Sequence, residues 1–109
     1  MNYEFKGKRA IVTGASSGIG KGIATRFAKM GVKVILAARR QLELEEVAAE
    51  IRSHGGTAIV TPCDVTNPED VARVVQTAVD ELGGVDIMVN CAGIAGPMIF
   101  EDTPPERFR

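Results

Sequence analysis

Four short apolar runs recur along the chain, and in each of them the apolar residues are consecutive. The runs comprise residues 10–12, 34–38, 58–60 and 87–89. A strand with one face in solvent alternates apolar and polar residues, whereas a consecutive run is typical of a strand that is covered on both faces. The pattern therefore predicts four buried strands of a parallel sheet.

Helical patterns lie between these runs. Apolar residues are spaced three or four apart in the intervals 19–27, 44–51 and 71–82, which predicts three helices with one apolar face each. Glycines follow each interval and are typical of helix ends. Thr66 and Glu69 have the spacing of a capping box and predict the start of the third helix.

Strands and helices thus alternate in the order β-α-β-α-β-α-β, without a linker or an internal repeat. Right-handed crossovers between parallel strands place helices on both faces of the sheet. The sequence therefore predicts an α/β fold with three layers and a parallel sheet in the strand order 3-2-1-4, in a single domain of 109 residues.

Composition and charge narrow the class of protein. A formal net charge of −1 gives no general attraction to nucleic acid or to an acidic membrane. No apolar run approaches the roughly 20 residues of a membrane span, and the N-terminus lacks the apolar segment of a secretory signal. Cys63 and Cys91 form no metal-binding pattern and follow strands too far apart in the predicted order for a disulfide. We expect a cytoplasmic protein with reduced thiols and no nucleic-acid or membrane partner.

A glycine-rich segment, T-G-A-S-S-G-I-G at residues 13–20, lies where the first strand ends and the first helix begins. Unpaired backbone N–H groups and the positive end of the helix dipole meet at such a point and favour a phosphate. Glycine lets the backbone turn sharply and approach a ligand without an intervening Cβ. The segment predicts a phosphate-bearing ligand, with Gly20 facing the sheet and permitting close packing of the helix.

Three other interpretations fit parts of the same segment. A P-loop would require glycine at position 19 and Ser or Thr at position 22, where the chain has Ile19 and Gly22. The G-x-S-x-G pattern of a nucleophile elbow matches residues 14–18, but the only histidine, His54, ends the second helix with no suitable acid before it. The third interpretation is a glycine-rich turn without a ligand. A phosphotransferase, a hydrolase and a bare turn stay open as less favoured alternatives.

Three motifs in register resemble the short-chain dehydrogenase/reductase family. The glycine-rich segment resembles its T-G-x-x-x-G-x-G fingerprint, and Asp64-Val65 after the third strand resembles its D-[VL] pair. The sequence N-C-A-G at 90–93 resembles its N-N-A-G motif, with Cys91 replacing the second asparagine. The resemblance spans essentially the whole chain. It implies a Rossmann-like fold, a nicotinamide dinucleotide, hydride transfer to or from a small carbonyl or alcohol substrate, and a homo-oligomeric complete enzyme.

The second strand ends in two arginines rather than in an acidic residue. An Asp or Glu about 20 residues beyond the glycine loop bonds the ribose 2′-hydroxyl of NAD. Here Arg39 and Arg40 occupy that region, and the first acidic residue is Glu43, inside the second helix. A guanidinium can donate two charge-assisted hydrogen bonds to a 2′-phosphate. The prediction is NADP(H), with NAD(H) as the alternative cofactor and two solvated arginines at a helix start as the alternative interpretation.

The remaining site residues follow from the resemblance. Asp64 is expected to accept a hydrogen bond from the adenine amino group, with an ordinary acid near a helix start as the alternative. Asn90 is expected first as a structural residue that bridges the sheet. The predicted cofactor-binding residues are Gly14, Ser16, Ser17, Gly18, Ile19, Gly20, Arg39, Arg40, Asp64, Val65, Asn90, Ala92 and Gly93.

The catalytic tyrosine, lysine and serine of the family have no match in this chain. The only tyrosine, Tyr3, precedes the first strand, with Gly7 where the family has lysine, and no Ser, Tyr or Lys follows Gly93. Residues 103–106 predict another helix start, and the fourth strand is expected to be an exposed edge. The prediction is a cofactor-binding portion, 1–109, truncated at that helix start and without catalytic residues. A non-catalytic dinucleotide-binding or sensing module is the alternative function.

Overall fold

A computed structural model of the chain describes residues 5–16, 18–91 and 98–101. Helices and strands follow the predicted alternation, with one further strand after the fourth. In chain order they are β1 (Arg9–Thr13), α1 (Gly18–Lys29), β2 (Lys33–Ala38), α2 (Gln41–Ser53), β3 (Ala58–Pro62), α3 (Pro68–Leu82), β4 (Ile87–Asn90) and β5 (Met98–Glu101). Within the described ranges, no helix combines the length and the apolar character needed to cross a membrane.

The strands form one sheet in the order β3-β2-β1-β4-β5. The pairs β2–β3, β1–β2 and β1–β4 are parallel, which confirms the predicted α/β fold and the order 3-2-1-4. The chain passes from one side of β1 to the other between β3 and β4. In open α/β sheets, ligands bind at the carboxyl ends of the strands beside such a switch point.

The sequence predicts that β4 is an exposed edge, and the structure shows this to be wrong. β5 lies antiparallel to β4, with Asn90 opposite Met98 and Ile87 opposite Glu101. The backbone N–H and C=O groups on that side of β4 therefore have a partner strand. A strand of four residues carries little periodic signal, and its pairing depends on a neighbour rather than on local sequence. The helix start predicted at 103–106 lies outside the described residues.

Both faces of the sheet are covered, which explains the consecutive apolar runs. Ile11 and Val12 in β1, and Ile35 and Leu36 in β2, are all 0% exposed. Because neighbouring residues of a strand point to opposite faces, each pair contributes to two different cores. Val12 and Leu36 pack with residues of α1 and α2, whereas Ile11 and Ile35 pack with residues of α3. The three-layer arrangement fixes the strands from both sides and thereby the positions of their carboxyl ends.

The start of α3 differs from the predicted capping box. Asn67 is the N-cap residue, and its side chain accepts a hydrogen bond from the backbone N–H of Glu69 at 2.9 Å. Thr66 instead donates its hydroxyl proton to Asp64 Oδ1 at 2.7 Å. The capping prediction is therefore wrong by one residue, because Asp64 competes successfully for the Thr66 hydroxyl. The helix ends at Gly83, whose φ of 87° gives the left-handed C-cap typical of glycine.

An ion pair joins the beginnings of β1 and β4, at the end of the sheet opposite the glycine loop. Arg9 Nε and Nη2 donate to Asp86 Oδ2 and Oδ1 at 2.8 and 2.9 Å, and the Arg9 backbone N–H donates to Oδ2 at 2.9 Å. The hydrogen bonds from the Arg9 side chain lower the pKa of Asp86 to about 2. The folded state therefore favours the ionised carboxylate more strongly than the unfolded chain does.

We expect Asp86→Asn to lower the free energy of unfolding by about 1–2 kcal/mol at pH 7. Because the folded pKa is depressed, this stability is fully present above the unfolded pKa of about 4 and is lost as the pH falls toward 2. Urea unfolding of both proteins between pH 7 and pH 2 checks this. Asp80→Asn on the exposed face of α3 is the control. A stability difference between wild type and Asp86→Asn that stays constant over this range would contradict the role of the charge.

Candidate functional site

The glycine loop between β1 and α1 adopts backbone conformations that favour glycine. Gly14 and Gly18 have φ values of 65° and 59°, in the left-handed region that side chains disfavour. A Cβ at Gly18 would have no heavy atom within 4 Å, so open space lies beside the start of α1. The backbone N–H of Ala15 donates to Ala37 O at 3.4 Å and ties the loop to the end of β2. The loop thus leaves bare backbone and free space where the positive end of a helix dipole lies.

Gly20 is buried, but the close approach that it permits is to the preceding loop and not, as the sequence predicted, to the sheet. A Cβ at this position would collide with the carbonyl oxygen of Gly14 and would lie 2.7 Å from its carbonyl carbon. It would also lie 3.2 Å from the Cα of Ala15. Only glycine therefore lets α1 begin this close to the preceding turn. The packing of one glycine on another fixes the shape of the loop.

Ile19 lies outside the hydrophobic core. Ile23 and Phe27 pack against the core, as the spacing predicts, whereas Ile19 is 63% exposed. The apolar stripe of α1 therefore begins one turn later than predicted. The first turn of the helix presents an apolar side chain to solvent beside the glycine loop, where a ligand on the loop would contact it.

A pocket of about 360 Å³ lies at the carboxyl ends of β1, β2 and β3. It brings together predicted residues from three separate connections. The lining residues are Gly14, Ser16, Ala38, Arg39, Arg40, Cys63, Asp64, Val65 and Thr66. The pocket lining adds three residues that no sequence motif predicts, Ala38, Cys63 and Thr66. Their only signal is that they flank the predicted residues where strands end.

The two arginines after β2 have different surroundings. Arg40 is the N-cap residue of α2 and makes no side-chain cap hydrogen bond. Its Nη1 lies 3.4 Å from Glu43 Oε2, and its side chain is 81% exposed. Arg39 is exposed at the pocket, and its charge acts on Asp64 across it. The pocket thus combines a guanidinium from one strand end with a carboxylate from the next.

Asp64 forms a tight turn with Thr66 before α3. Its Oδ1 accepts hydrogen bonds from the Thr66 hydroxyl at 2.7 Å and from the Thr66 backbone N–H at 2.9 Å. These two bonds lower the pKa of the Asp64 carboxyl, and the positive charge of Arg39 lowers it further. Asp64 is therefore an ionised hydrogen-bond acceptor at neutral pH, lying both at the pocket and near a helix start.

Asn90 links the carboxyl ends of two neighbouring strands. The hydroxyl of Thr13, the last residue of β1, donates to Asn90 Oδ1 at 2.9 Å. The backbone N–H of Cys91 donates to the same Thr13 hydroxyl at 3.1 Å. The first bond gives Asn90 a structural contact across the sheet, and the second ties the residue after it to the same hydroxyl. Three other predicted site residues, Ser17, Ala92 and Gly93, lie outside the described residues.

The two cysteines are free thiols and share no bond. Cys63 is buried at the pocket, and Cys91 follows β4. Burial raises the pKa of both thiols. Both are therefore protonated at neutral pH.

Comparison with known proteins identifies the family to which this chain is similar. A family model described as short chain dehydrogenase matches residues 8–109. The chain belongs to the short-chain dehydrogenase family. This oxidoreductase family accounts for the strand order, and for the glycine loop at the carboxyl end of β1.

Individual relatives agree with the family. The 7alpha-hydroxysteroid dehydrogenase of Escherichia coli K12 is 41% identical over 108 residues, covering 99% of this chain and 42% of that protein. A crystal structure of hydroxysteroid dehydrogenase from Escherichia coli aligns with a TM-score of 0.80 at 41% identity, over 96% of this chain and 44% of that one. Apo glucose dehydrogenase of Caenorhabditis elegans aligns with a TM-score of 0.78 at 35% identity, over 83% and 39% of the two chains. The chain thus spans less than half the length of these relatives.

Proposed function

We propose that this chain is the cofactor-binding portion of an NADP(H)-dependent oxidoreductase that transfers hydride between the nicotinamide and a small carbonyl or alcohol. The observation that carries the proposal is the pocket in which the glycine loop, Arg39 and Asp64 converge. No carboxylate stands at the end of β2 to accept a bond from a ribose 2′-hydroxyl, and a guanidinium takes that place. Membership in the short-chain dehydrogenase family supports the redox chemistry.

The surfaces of the pocket fit the parts of a dinucleotide. The glycine loop, with Gly14, Gly18 and Gly20, would hold the pyrophosphate against backbone N–H groups at the start of α1. Ile19 would cover its apolar side, and the Ser16 hydroxyl would bond a phosphate or ribose oxygen. The volume of about 360 Å³ lies within the range of small-molecule sites and suits one nucleoside half rather than the whole cofactor.

The adenine half would lie between the ends of β2 and β3. Arg39 would donate to the 2′-phosphate, with Arg40 adding positive charge from the start of α2. An anion would also relieve the unfavourable placement of two cations at a helix N-terminus. Asp64 would accept from the adenine amino group, and Val65 would contact the ring.

The end of β4 would serve the other half of the cofactor. Asn90, Ala92 and Gly93 would line the ribose and nicotinamide side. A bound nicotinamide would supply the hydride donor or acceptor, and the residues of this chain would bind and orient it. Proton transfer is assigned to no residue of this chain. The substrate, a homo-oligomeric assembly and a cytoplasmic location stay predictions from the resemblance and the composition.

Titration of the chain with NADPH and NADH, followed by the fluorescence of the reduced nicotinamide, tests the proposal. We expect NADPH to bind at least about tenfold more tightly, because hydrogen bonds to a charged phosphate contribute about 1.5–3 kcal/mol. The preference should fall as the salt concentration rises. Equal affinities would contradict the preference for NADP(H) and favour NAD(H). Failure to bind either dinucleotide would contradict the cofactor site itself.

A further inference from the structure

Two charged residues of α3 hold one wall of the pocket without lining it. Asp70 Oδ2 accepts a hydrogen bond from the backbone N–H of Asp64 at 2.9 Å. Asp70 Oδ1 accepts from Arg73 Nη1 at 2.9 Å, and Arg73 Nη2 donates to the carbonyl of Pro62 at 2.8 Å. The pair therefore contacts Pro62, the last residue of β3, and Asp64, two residues later, where the chain leaves the sheet.

Asp64 and the residue before it are held by hydrogen bonds from three parts of the structure: α3, β2 and the turn that follows Asp64. The backbone N–H of Cys63 donates to Ala38 O at 2.8 Å, which holds the wall to β2. Thr66 holds the carboxylate of Asp64 from the following turn. The Asp64 carbonyl accepts a hydrogen bond from the backbone N–H of Asn67 at 3.0 Å, and the Asp64 backbone N–H donates to the Asp70 side chain. Asp70 thus supplies a side-chain hydrogen bond to the residue that carries the pocket carboxylate.

Asp70 lies in the first turn of α3, where a carboxylate stabilises the helix, but its contacts also reach beyond the helix. Asn67 already caps α3, and Pro68 occupies its first turn. The Arg73–Asp70 pair is largely solvent-exposed on the guanidinium side, at 55%, and such pairs contribute little to stability. The hydrogen bonds from the Asp64 backbone N–H and from Arg73 lower the pKa of Asp70, although the like charge of Asp64 opposes that shift. Arg73 offsets that repulsion, which lets two carboxylates remain ionised in one short segment.

We propose that Asp70, held by Arg73, is a positioning residue that places Asp64 for recognition of the adenine amino group. The inference rests on the proposed function, because Asp64 needs an adenine nucleotide to recognise. Asp70 then acts on base selectivity rather than on binding of the phosphates, since its hydrogen bonds reach the segment that ends at Asp64 and not the glycine loop or Arg39.

The test compares NADPH with its hypoxanthine analogue, deamino-NADPH, in which a carbonyl oxygen replaces the adenine amino group. The wild-type chain should bind NADPH about tenfold more tightly than the analogue, since the analogue presents an accepting carbonyl oxygen where the adenine amino group would donate to Asp64. In Asp70→Ala this ratio should fall to within about twofold of one. Asp70→Asn should retain most of the ratio, because the amide oxygen still accepts from the Asp64 N–H. Asp80→Ala, at the other end of α3, is the matched control and should keep the wild-type ratio.

The outcomes separate the inference from the proposed function. If the wild-type chain binds neither compound, the proposed function fails and the inference falls with it. If the wild-type chain binds both compounds equally, the cofactor site stands and the inference is overturned. If Asp70→Ala weakens both by the same factor, Asp70 has only a structural role and the inference is again overturned. Thermal unfolding of every variant establishes that the ratios come from folded protein, and Asp70→Asn supplies the comparison if the alanine variant does not fold.

Discussion

Replacing Gly20 with alanine is expected to weaken dinucleotide binding strongly, whereas the same change at Gly22 should leave binding intact. A Cβ at Gly20 would collide with the Gly14 carbonyl, so either the loop or the start of α1 must move. Both are backbone, and neither can rotate away as a flexible side chain would. A Cβ at Gly22, also in α1, would meet no heavy atom within 4 Å. Comparing the two substitutions therefore distinguishes an effect on the shape of the loop from the effect of adding a methyl group to α1.

We expect Gly20→Ala to lower NADPH affinity by about 100-fold or more, the order of effect of displacing a site by about 1 Å. Its free energy of unfolding should fall by about 1–3 kcal/mol, as in other overpacked positions. Gly22→Ala should bind as the wild type does and gain about 0.5–1 kcal/mol, because alanine favours the helix interior. Fluorescence titration and urea unfolding of the three proteins measure both quantities. NADPH affinity within twofold of wild type in Gly20→Ala would contradict the role of the loop.

Arg39→Asp is expected to reverse the cofactor preference. The substitution removes the guanidinium that would bond the 2′-phosphate and introduces a carboxylate that repels it. The same carboxylate can accept a hydrogen bond from the 2′-hydroxyl of NADH. The ratio of NADPH to NADH affinity should fall by about 100-fold, from the loss of charge-assisted hydrogen bonds and the added repulsion.

Arg40→Asp provides the matched comparison at the neighbouring position. The Arg40 side chain is 81% exposed and lies 3.4 Å from Glu43, so its replacement should change the ratio much less. Both variants change the net charge by the same amount, which removes general electrostatics as an explanation. Competitive titration with each cofactor at two salt concentrations measures the ratios. An unchanged ratio in Arg39→Asp would remove its role, and a larger effect from Arg40→Asp would transfer that role to Arg40.

Several parts of the fold could be predicted because they depend on local patterns. The consecutive apolar runs gave the strand positions, since Ile11 and Val12 each need a covered face. The glycines gave the loop, since a left-handed backbone at Gly14 and Gly18 strongly favours that residue. Crossover handedness then restricted the strand order to 3-2-1-4. Each of these inferences needs only neighbouring residues and general geometry.

Other parts could not be predicted because they depend on competition between distant or equivalent partners. β5 exists as a strand through its pairing with β4, and nothing local in its four residues requires that. The Thr66 hydroxyl can either cap a helix or donate a hydrogen bond to Asp64, and in the folded turn it donates to Asp64. Ile19 fits the apolar spacing of α1, yet its side chain is exposed because the first turn of the helix does not pack on the core.

The sequence by itself determined the order of the elements from β1 to β4, the glycine loop and the absence of an acidic residue at the end of β2. These features are fixed by residue type and spacing, so they hold wherever the chain folds as an α/β sheet. Only the tertiary structure decided that Arg39 and Asp64 share a pocket, and that Asp70 contacts the backbone of Asp64. The parallel register of β2 and β3 brings Ala38 opposite Pro62 and sets the residues after them side by side. The distance between Arg39 and Asp64 arises from strand pairing, which no local pattern encodes, whereas the contact of Asp70 with Asp64 depends on how the turn before α3 folds.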